Sequence, residues 1–212
     1  MTEQDRLNCI YEETPLAEIP WHSETPPTFI RERVLAGHIA PCRAAELGCG
    51  GGTISLYLAA LGFDVTGVDF APAAIAAARH AADRRNLPGR FAVADVLGDL
   101  SALGTGFGLV CDYNLLHHIP PEQRPAYLAN VHSLLAPGGI YLSASFHRDM
   151  VGLSGTGAIR HTALGTTLYL STENELRELF SPSFLIDELR QGAVPGHTGP
   201  YLAILAQLRR GY

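Results

Sequence analysis

Short apolar runs alternate with helical patterns from residue 43 onward. Between the apolar runs, TISLYLAALG, the alanine-rich segment that begins at Pro72, and PEQRPAYLANVHSLL have helical composition or spacing. The turn Pro137-Gly138-Gly139 is expected to end the last of these helices. Such a βαβ series predicts an α/β fold with a mostly parallel sheet and helices on both faces. The five runs that we interpret as its strands are RAAELG, DVTGVD, FAVAD, GLVCDYN and GIYLSASF.

The two ends of the chain depart from this alternation. The first forty residues are rich in proline and are interpreted as irregular at first and then helical around FIRERVLAGH. Residues 147–170 are glycine-rich and weakly periodic, which is typical of a functional loop and not of an ordinary connection. STENELRELF then begins with a helix-start signature, and SFLIDELR and PYLAILAQLRR are interpreted as two closing strands.

The length of 212 residues and a hydrophobic fraction of 47% predict a single globular domain. We expect this domain to consist of an N-terminal cap over residues 1–40, a cofactor-binding core over 41–147, an acceptor lid over 147–170, and a closing helix and strands over 171–212.

Composition narrows the class of partner. The formal net charge of -6 and the absence of a long basic run argue against a nucleic-acid partner. The N-terminus is too polar for a signal peptide, and no apolar run approaches the ~20 residues that span a bilayer. We therefore expect a soluble, cytoplasmic monomer or homodimer that acts on a small molecule without a membrane partner. Reduced thiols are expected because paired CxxC spacing is missing from the four cysteines, Cys9, Cys42, Cys49 and Cys111.

The glycine-rich loop after the first strand excludes two common nucleotide motifs. Thr53 stands where the dinucleotide fingerprint G-x-G-x-x-G needs its third glycine, and no lysine follows as a phosphate-cradling P-loop requires. What remains is E-x-G-x-G-x-G, with Asp69 closing the second strand. A carboxylate at that strand end can accept both hydroxyls of a ribose. The motif itself consists of Glu46, Gly48, Gly50 and Gly52.

This loop and three later segments resemble the class I S-adenosylmethionine-dependent methyltransferase family. ELGCGGG resembles its first motif, VTGVDF its ribose-binding acid, FAVADV the strand whose acid caps the adenine amine, and LLAPGGIYLS its late strand. The resemblance implies a Rossmann-like, seven-stranded sheet in the order 3-2-1-4-5-7-6, with the last strand antiparallel, and S-adenosyl-L-methionine as cofactor. It implies that the cofactor contacts Trp21, Glu46, Gly48, Cys49, Gly50, Asp69, Phe70, Asp95, Val96 and Asn114.

Three of the acidic residues keep a second interpretation. Asp69 also stands where it can cap the helix that begins at Ala71 or Pro72. Glu46 can be a solvated strand end, and Asp99 is a rival to Asp95 as the residue that binds adenine.

The segment CDYNLLHHIPPE, after the fourth strand, carries the candidates for the reacting end of the site. We predict that Tyr113, Asn114 and His117 are catalytic, and that His118 binds the acceptor. One of the adjacent histidines has a packing role as its alternative. Two histidines also suggest a metal, but no matching ligand set accompanies them, so we expect none.

In the lid, Arg160 and Tyr169 fall where this family inserts acceptor-binding elements, and Arg160 can anchor an anionic acceptor. The alternative for Arg160 is a solvated loop cation.

The acceptor itself is suggested by the N-terminal segment PLAEIPWHSETPPTF. It resembles the cap of thiopurine-methyltransferase-like and related thiol or tellurite methyltransferases, in which aromatic residues cover the sulfonium. Trp21 then supplies an electron-rich face to a cation, or else packs as an ordinary cap residue. We predict a small-molecule thiol acceptor in secondary metabolism or detoxification, because no dedicated base constellation is evident. The alternatives are an O- or N-methyltransferase with a histidine base and a non-catalytic S-adenosylmethionine-binding protein; an RNA or protein methyltransferase is disfavoured by the acidic balance.

Overall fold

A seven-stranded sheet lies at the centre of the computed structural model, which describes residues 3–196 and 199–211. The strand order is β3-β2-β1-β4-β5-β9-β8. The first five strands pair in parallel, while β9 is antiparallel to both β5 and β8. Counted within this sheet alone, the order is 3-2-1-4-5-7-6, which confirms the prediction. The strands are β1 Arg43–Leu47, β2 Asp64–Asp69, β3 Arg90–Val93, β4 Phe107–Tyr113, β5 Leu135–Phe146, β8 Leu185–Val194 and β9 Tyr201–Arg209.

Helices cover both faces of the sheet, as the βαβ pattern predicts. Pro72 occupies the first turn of α4, where its missing N–H is not needed. Thr172 and Glu175 form a reciprocal capping box at the start of α6. The helices are α1 Glu3–Glu13, α2 Thr28–Leu35, α3 Thr53–Ala60, α4 Pro72–Arg85, α5 Arg124–Leu134 and α6 Glu173–Phe180.

The core consists of two large apolar clusters, one on each face of the sheet. One joins strand residues such as Val110 to Tyr127 and Phe180 of the helices α5 and α6. The other joins Leu109, on the opposite face of the same strand, to helices α2 and α3. Since each fully buried aliphatic or aromatic side chain stabilises the fold by ~1.5–3 kcal/mol, these clusters hold the strand ends in fixed register.

Three local expectations were wrong, and they concern the first residues, the Pro137-Gly138-Gly139 segment and the lid. Residues 3–13 form helix α1, although we expected irregular structure, because Leu7, Ile10 and Tyr11 share one face and pack on Ile19 and Phe70. The segment Pro137-Gly138-Gly139 does not form a separate turn. It lies inside β5, which starts at Leu135 and absorbs the glycines where its register against β4 shifts.

The lid contains regular structure as well. The strands β6 Ile159–His161 and β7 Thr167–Tyr169 pair as an antiparallel hairpin outside the main sheet.

The carboxyl ends of β1 and β4 lie side by side at the point where the strand order reverses. Ligands of open α/β sheets bind in the crevice at such a switch point. The glycine-rich loop follows β1 and the histidine pair follows β4, so the fold brings the two predicted halves of the site together. Within residues 3–196 and 199–211, no helix combines the length and the apolar character needed to cross a bilayer.

Candidate active site

The loop between β1 and α3 requires its glycines for two separate reasons. Gly48, Gly50 and Gly52 have φ values of 70°, 49° and 80°, which is the left-handed region that favours glycine. A Cβ atom on Gly50 would lie 2.8 Å from the Tyr11 hydroxyl, and one on Gly48 would lie 3.0 Å from the Leu115 side chain. Tyr11 and Leu115 therefore pack directly against the loop backbone, and a side chain at Gly50 or Gly48 would displace them.

Asp69, at the end of β2, links this loop to the following helix. Its Oδ2 accepts a hydrogen bond from the Gly50 amide at 2.9 Å, and its Oδ1 accepts one from the Ala71 amide at 3.0 Å. Burial raises the pKa of the carboxyl group. The bond to Ala71 lies one residue before helix α4, whose N-cap is Ala71 and which has no side-chain cap, and Asp69 also lines the cavity above the glycine loop.

Glu46 is a buried residue of the same cavity and not a solvated strand end. Its Oε2 accepts hydrogen bonds from the Ser55 amide at 2.8 Å and from the Ser55 hydroxyl at 2.5 Å. Burial raises the pKa of Glu46 to about 8. The side chain is therefore largely protonated at neutral pH, and it holds the first turn of helix α3 against the end of β1.

The N-terminal segment covers the glycine loop. Trp21 donates its indole N–H to the Tyr11 hydroxyl at 2.9 Å, and the two rings meet edge to face. On its other side Trp21 contacts the His118 ring, with centroids 6.4 Å apart. Tyr11 of helix α1 and Trp21 therefore form a cover, here called the aromatic roof, that extends from the glycine loop to the histidine pair.

The residues predicted to bind adenine do not line this cavity. Asp95 is exposed, and its two oxygens accept hydrogen bonds from the Gln4 side chain at 2.8 Å and the Leu97 amide at 2.9 Å. Val96 is buried in the core. The rival, Asp99, accepts both bonds of Ser101 in a local turn.

Two cavities meet beneath the aromatic roof. The smaller one, of about 140 Å³, lies over the glycine loop. The larger one, of about 530 Å³, extends between the lid, Phe146 and Tyr201, and no carboxylate, lysine or arginine is among its lining residues in the described chain. An uncharged, largely apolar molecule fits such walls. The shared lining residues are Trp21, His22, Ser23, Thr25, Pro27, Tyr113, Asn114 and His118.

The two histidines have different environments. Nδ1 of His117 accepts a hydrogen bond from the Phe146 amide at 3.1 Å, and its ring stacks on that of Phe146 with centroids 4.2 Å apart. Burial, with His118 and Arg124 nearby, lowers the pKa of His117 well below its usual value. The neutral ring therefore carries its proton on Nε2 and has no lone pair left for a substrate.

His118 differs from His117 in that its Nδ1 makes no hydrogen bond among the described residues. That nitrogen is buried, and the residue lines both cavities. Burial lowers the pKa of His118 to about 4, so the ring is neutral at physiological pH. This arrangement favours His118 as the catalytic histidine, where the sequence favoured His117.

Asn114 has the backbone strain that often accompanies functional sites. Its φ of 64° is left-handed, and its Oδ1 is buried without a partner in the part of the chain that the structure describes. Tyr113 lines both cavities, and burial raises the pKa of its hydroxyl, which stays protonated. Both residues lie at the junction that the sequence predicted.

The lid residues named from sequence lie away from the larger cavity. Arg160 donates to the carbonyls of Gly157 and Ile159, and Tyr169 contributes only its carbonyl, as an acceptor for Arg124. Neither is among the lining residues. The turn between β6 and β7 and the strand residue Leu168 face the cavity instead. The lid contributes Gly152, Leu153, Thr162, Ala163, Leu164 and Leu168.

Sequence reasoning missed three residues of the site. Tyr11 and His22 line the smaller cavity, and Tyr201 lines the larger one. The helical spacing of Leu7, Ile10 and Tyr11 could have indicated Tyr11, whereas no local pattern indicates Tyr201. No set of three or more metal-binding side chains was found in residues 3–196 and 199–211.

The residues at the smaller cavity fit S-adenosylmethionine. A sulfonium nucleoside needs close backbone approach and oxygen acceptors, and it needs no cation of the kind that a pyrophosphate demands. The left-handed glycines allow close approach to the backbone. The unpartnered Oδ1 of Asn114 and the carboxylate of Asp69 are the oxygen acceptors.

Comparison with known proteins identifies relatives along most of the chain. Residues 44–139 match a family model described as a methyltransferase domain. The 2-heptyl-1-hydroxyquinolin-4(1H)-one methyltransferase of Mycobacteroides abscessus is 30% identical over 201 residues, which cover 89% of this chain and 81% of that protein. Several other curated relatives are matched over only 37% to 62% of their length.

Solved structures agree with the fold. One described as "Conversion of a Disulfide Bond into a Thioacetal Group during Echinomycin Biosynthesis" superposes with a TM-score of 0.80 at 26% identity, covering 98% of this chain and 93% of the other. The 1,6-didemethyltoxoflavin-N1-methyltransferase of Burkholderia thailandensis superposes with a TM-score of 0.76 at 24% identity, covering 99% and 87%. The second likeness concerns the fold alone.

Proposed function

This chain belongs to the class I S-adenosylmethionine-dependent methyltransferases of small molecules, and we propose that it methylates an uncharged, largely apolar acceptor at an acidic hydroxyl, with His118 as general base. The observation that carries the proposal is that His118 lines both cavities and that its buried Nδ1 has no partner among the described residues. Family membership makes the chain an enzyme, so the alternative of a binding protein without activity is not retained.

The cofactor end is assigned to the glycine loop and its neighbours. Gly48 and Gly50 allow the backbone to approach the cofactor, Asp69 accepts from ribose hydroxyls, and Asn114 offers Oδ1 at the methionine end. When bound, S-adenosylmethionine supplies a methyl group that is electrophilic because it is attached to a sulfonium. Trp21 covers this region and excludes water from it.

The base is needed because the acceptor is desolvated before it reacts. Burial raises the pKa of a hydroxyl, so the acceptor must lose its proton as it attacks. His118 is neutral above its pKa of about 4 and accepts that proton on Nδ1. A positioned base contributes ~10²–10⁴ to the rate when its pKa lies near the operating pH, and the pKa of His118, at about 4, puts its effect at the lower end of this range. Alignment of the acceptor behind the methyl group contributes further.

The larger cavity supports an apolar and uncharged acceptor. Its walls include Phe146, Tyr201 and three leucines, and no charged lid residue faces it in the described chain. The acceptor named for the Mycobacteroides relative is a hydroxylated quinolone with an alkyl chain. That acceptor has the same combination of an apolar body and one acidic hydroxyl.

A thiol acceptor is the second candidate, and it is the one favoured by the sequence. The echinomycin-related structure is described in terms of sulfur chemistry, and this chain matches 93% of it. A thiol has a reference pKa of ~8.5 and is partly ionised near neutral pH, so it depends less on a base. The His118 requirement therefore separates the two candidates.

A matched acceptor panel tests the proposal. Naphthol and thionaphthol have the same shape and differ in the acceptor atom, and naphthoic acid of the same size supplies the charged control. We expect the naphthol to be methylated at pH 7 and the carboxylate to be inert. His118→Gln should lower the rate of naphthol methylation by ~10²-fold or more. Thionaphthol turnover that exceeds naphthol turnover and survives His118→Gln would establish the thiol candidate instead.

A further inference from the structure

A buried arginine connects two segments that line the larger cavity, although it does not line the cavity itself. Arg124 is the first residue of helix α5, and only 5% of it is exposed. Its Nε donates a hydrogen bond to the carbonyl of Ile119 at 3.0 Å, and its Nη1 donates to the hydroxyl of Ser171 at 2.7 Å. Its Nη2 donates to the carbonyl of Tyr169. One guanidinium therefore joins three points of the chain.

The first of these points is the end of the turn that carries both histidines. Ile119 directly follows the 3-10 turn Leu116–His118, and its own amide closes that turn by donating to the carbonyl of Leu116 at 3.2 Å. Its neighbour His118 lines both cavities. The bond from Arg124 therefore holds the turn at the residue next to the proposed base.

The other two points lie at the base of the lid. Tyr169 directly follows Leu168, which is a wall residue of the larger cavity. Ser171 pairs with His147 in an isolated β-bridge, so that the two residues, here called the lid neck, bring both ends of the lid together. Through these bonds Arg124 holds the lid neck to the histidine turn.

We propose that Arg124 is a positioning residue, which fastens the lid to the turn of His118 and thereby fixes the distance between the cavity wall at Leu168 and the proposed base. This inference rests on the proposed function, because it takes the larger cavity as the acceptor site and His118 as the base. Arg124 lines neither cavity, so it is assigned no contact with the cofactor or the acceptor.

The shape of the arginine side chain suits this role. A guanidinium is a rigid plane whose N–H groups point in fixed directions, whereas lysine has a compact ammonium on a flexible stem. The three acceptors of Arg124 are two carbonyls and a hydroxyl, all of them neutral. Burying a cation is costly, and apolar residues often serve a core equally well. Fixed direction at three acceptors is therefore what Arg124 contributes here, more than packing.

The first test compares Arg124→Lys with a matched control, Arg43→Lys. Arg43 also donates to two carbonyls, those of Leu103 and Thr105, but it begins β1 and so lies at the opposite end of that strand from the site. We expect both variants to lose stability. Only Arg124→Lys should lower kcat, by ~10-fold or more, and raise KM for naphthol, while the cofactor Kd stays within about twofold. A loss of kcat no greater than that of Arg43→Lys would overturn the inference.

A second variant serves if Arg124→Lys does not fold. Ser171→Ala removes one bond at the lid neck and leaves Arg124 in place. Because Arg124 joins the lid to the histidine turn, we expect this change in the lid to shift the imidazole NMR signals of His118. Ser133→Ala, which removes an exposed hydroxyl from α5, is the control and should leave these signals unchanged. His118 signals that stay in place in Ser171→Ala would contradict the proposed link.

Failure of this inference is distinguishable from failure of the proposed function. If naphthol is not methylated, or if His118→Gln leaves its methylation unchanged, the proposed function fails. The NMR comparison requires neither substrate nor turnover, so it still decides whether the lid and the turn are linked. If both hold, the kcat loss of Arg124→Lys should become smaller in a His118→Gln background. An undiminished loss in that background would refute a role that acts through His118.

Discussion

The backbone amide of Phe146 donates a hydrogen bond to Nδ1 of His117, and the two rings lie parallel with centroids 4.2 Å apart. This bond links the end of β5 to the turn after β4. It also fixes the tautomer of His117, because the acceptor nitrogen cannot carry the ring proton. The bond gives His117 a structural role in the site, and the neighbouring His118 is the residue that we propose as the base.

Replacement of each histidine separates these assignments. We expect His118→Gln to lower kcat for a hydroxyl acceptor by ~10²-fold with little change in stability. His117→Phe should leave the partly buried Phe146 amide without this acceptor and lower the unfolding free energy by ~1 kcal/mol. Steady-state kinetics and urea unfolding of both variants check this. The reverse pattern, with kcat lost in the His117 variant alone, would contradict the assignment.

Gly50→Ala is expected to disrupt the cofactor loop. The added Cβ would lie 2.8 Å from the Tyr11 hydroxyl, in addition to the strain of a left-handed φ. Gly62→Ala is the matched control, since Gly62 has a φ of 88° but open space around its Cβ position. Both variants should lose stability on the order of 1 kcal/mol, and only Gly50→Ala should also weaken cofactor binding measured by calorimetry. Equal cofactor affinity in both variants would argue against close approach at Gly50.

Asp69→Ala should weaken S-adenosylmethionine binding by ~1–3 kcal/mol through the loss of charge-assisted hydrogen bonds. Asp64→Ala, at the exposed start of the same strand, is the control and should leave the dissociation constant unchanged. An unchanged dissociation constant for Asp69→Ala would reject the ribose-binding assignment.

Glu46 makes the stability of the protein depend on pH. Its pKa in the folded protein is about 8, above its ordinary value of 4.5, so between these values the folded state holds a proton that the unfolded chain has lost. The contribution of Glu46 to the unfolding free energy is therefore full below pH 4.5 and falls as the pH rises to 8, by an amount on the order of a few kcal/mol. Glu46→Gln mimics the protonated form, and urea unfolding at several pH values should give a flatter profile for it than for wild type. Parallel profiles would refute the assignment.

A charge placed in the wall of the larger cavity should weaken binding of the acceptor. Leu164→Asp introduces a carboxylate at the lid turn, and we expect it to raise KM for a neutral aromatic acceptor by ~10-fold or more. Val151→Asp, in an exposed lid position outside the cavity, should leave KM unchanged. If both variants bind the acceptor equally well, the cavity is not the acceptor site.

Local signals were sufficient to predict the sheet and the cofactor loop. The strands of the main sheet and the helices α3 to α6 follow from local sequence patterns, and the strand order follows from the βαβ series together with the resemblance. The glycines after β1 and Asp69 after β2 are adjacent in the fold because parallel neighbours end at the same edge.

Long-range contacts decided what the sequence did not reveal. The tautomer of His117 depends on an amide 29 residues away, and no local pattern contains that information. Helix α1 has a polar composition, and it is stabilised by a small apolar cluster with Phe70. A cytoplasmic location and a monomeric or dimeric state stay predictions from composition.

The stretch from Trp21 to Pro27 is a wall common to both cavities. One displacement of this stretch therefore exposes the glycine loop and the acceptor chamber together. Because Tyr11 and Trp21 cover the smaller cavity while the larger one extends to the lid, we expect a compulsory-order reaction in which the cofactor enters first and its demethylated product leaves last. That product should inhibit competitively against the cofactor and noncompetitively against the acceptor.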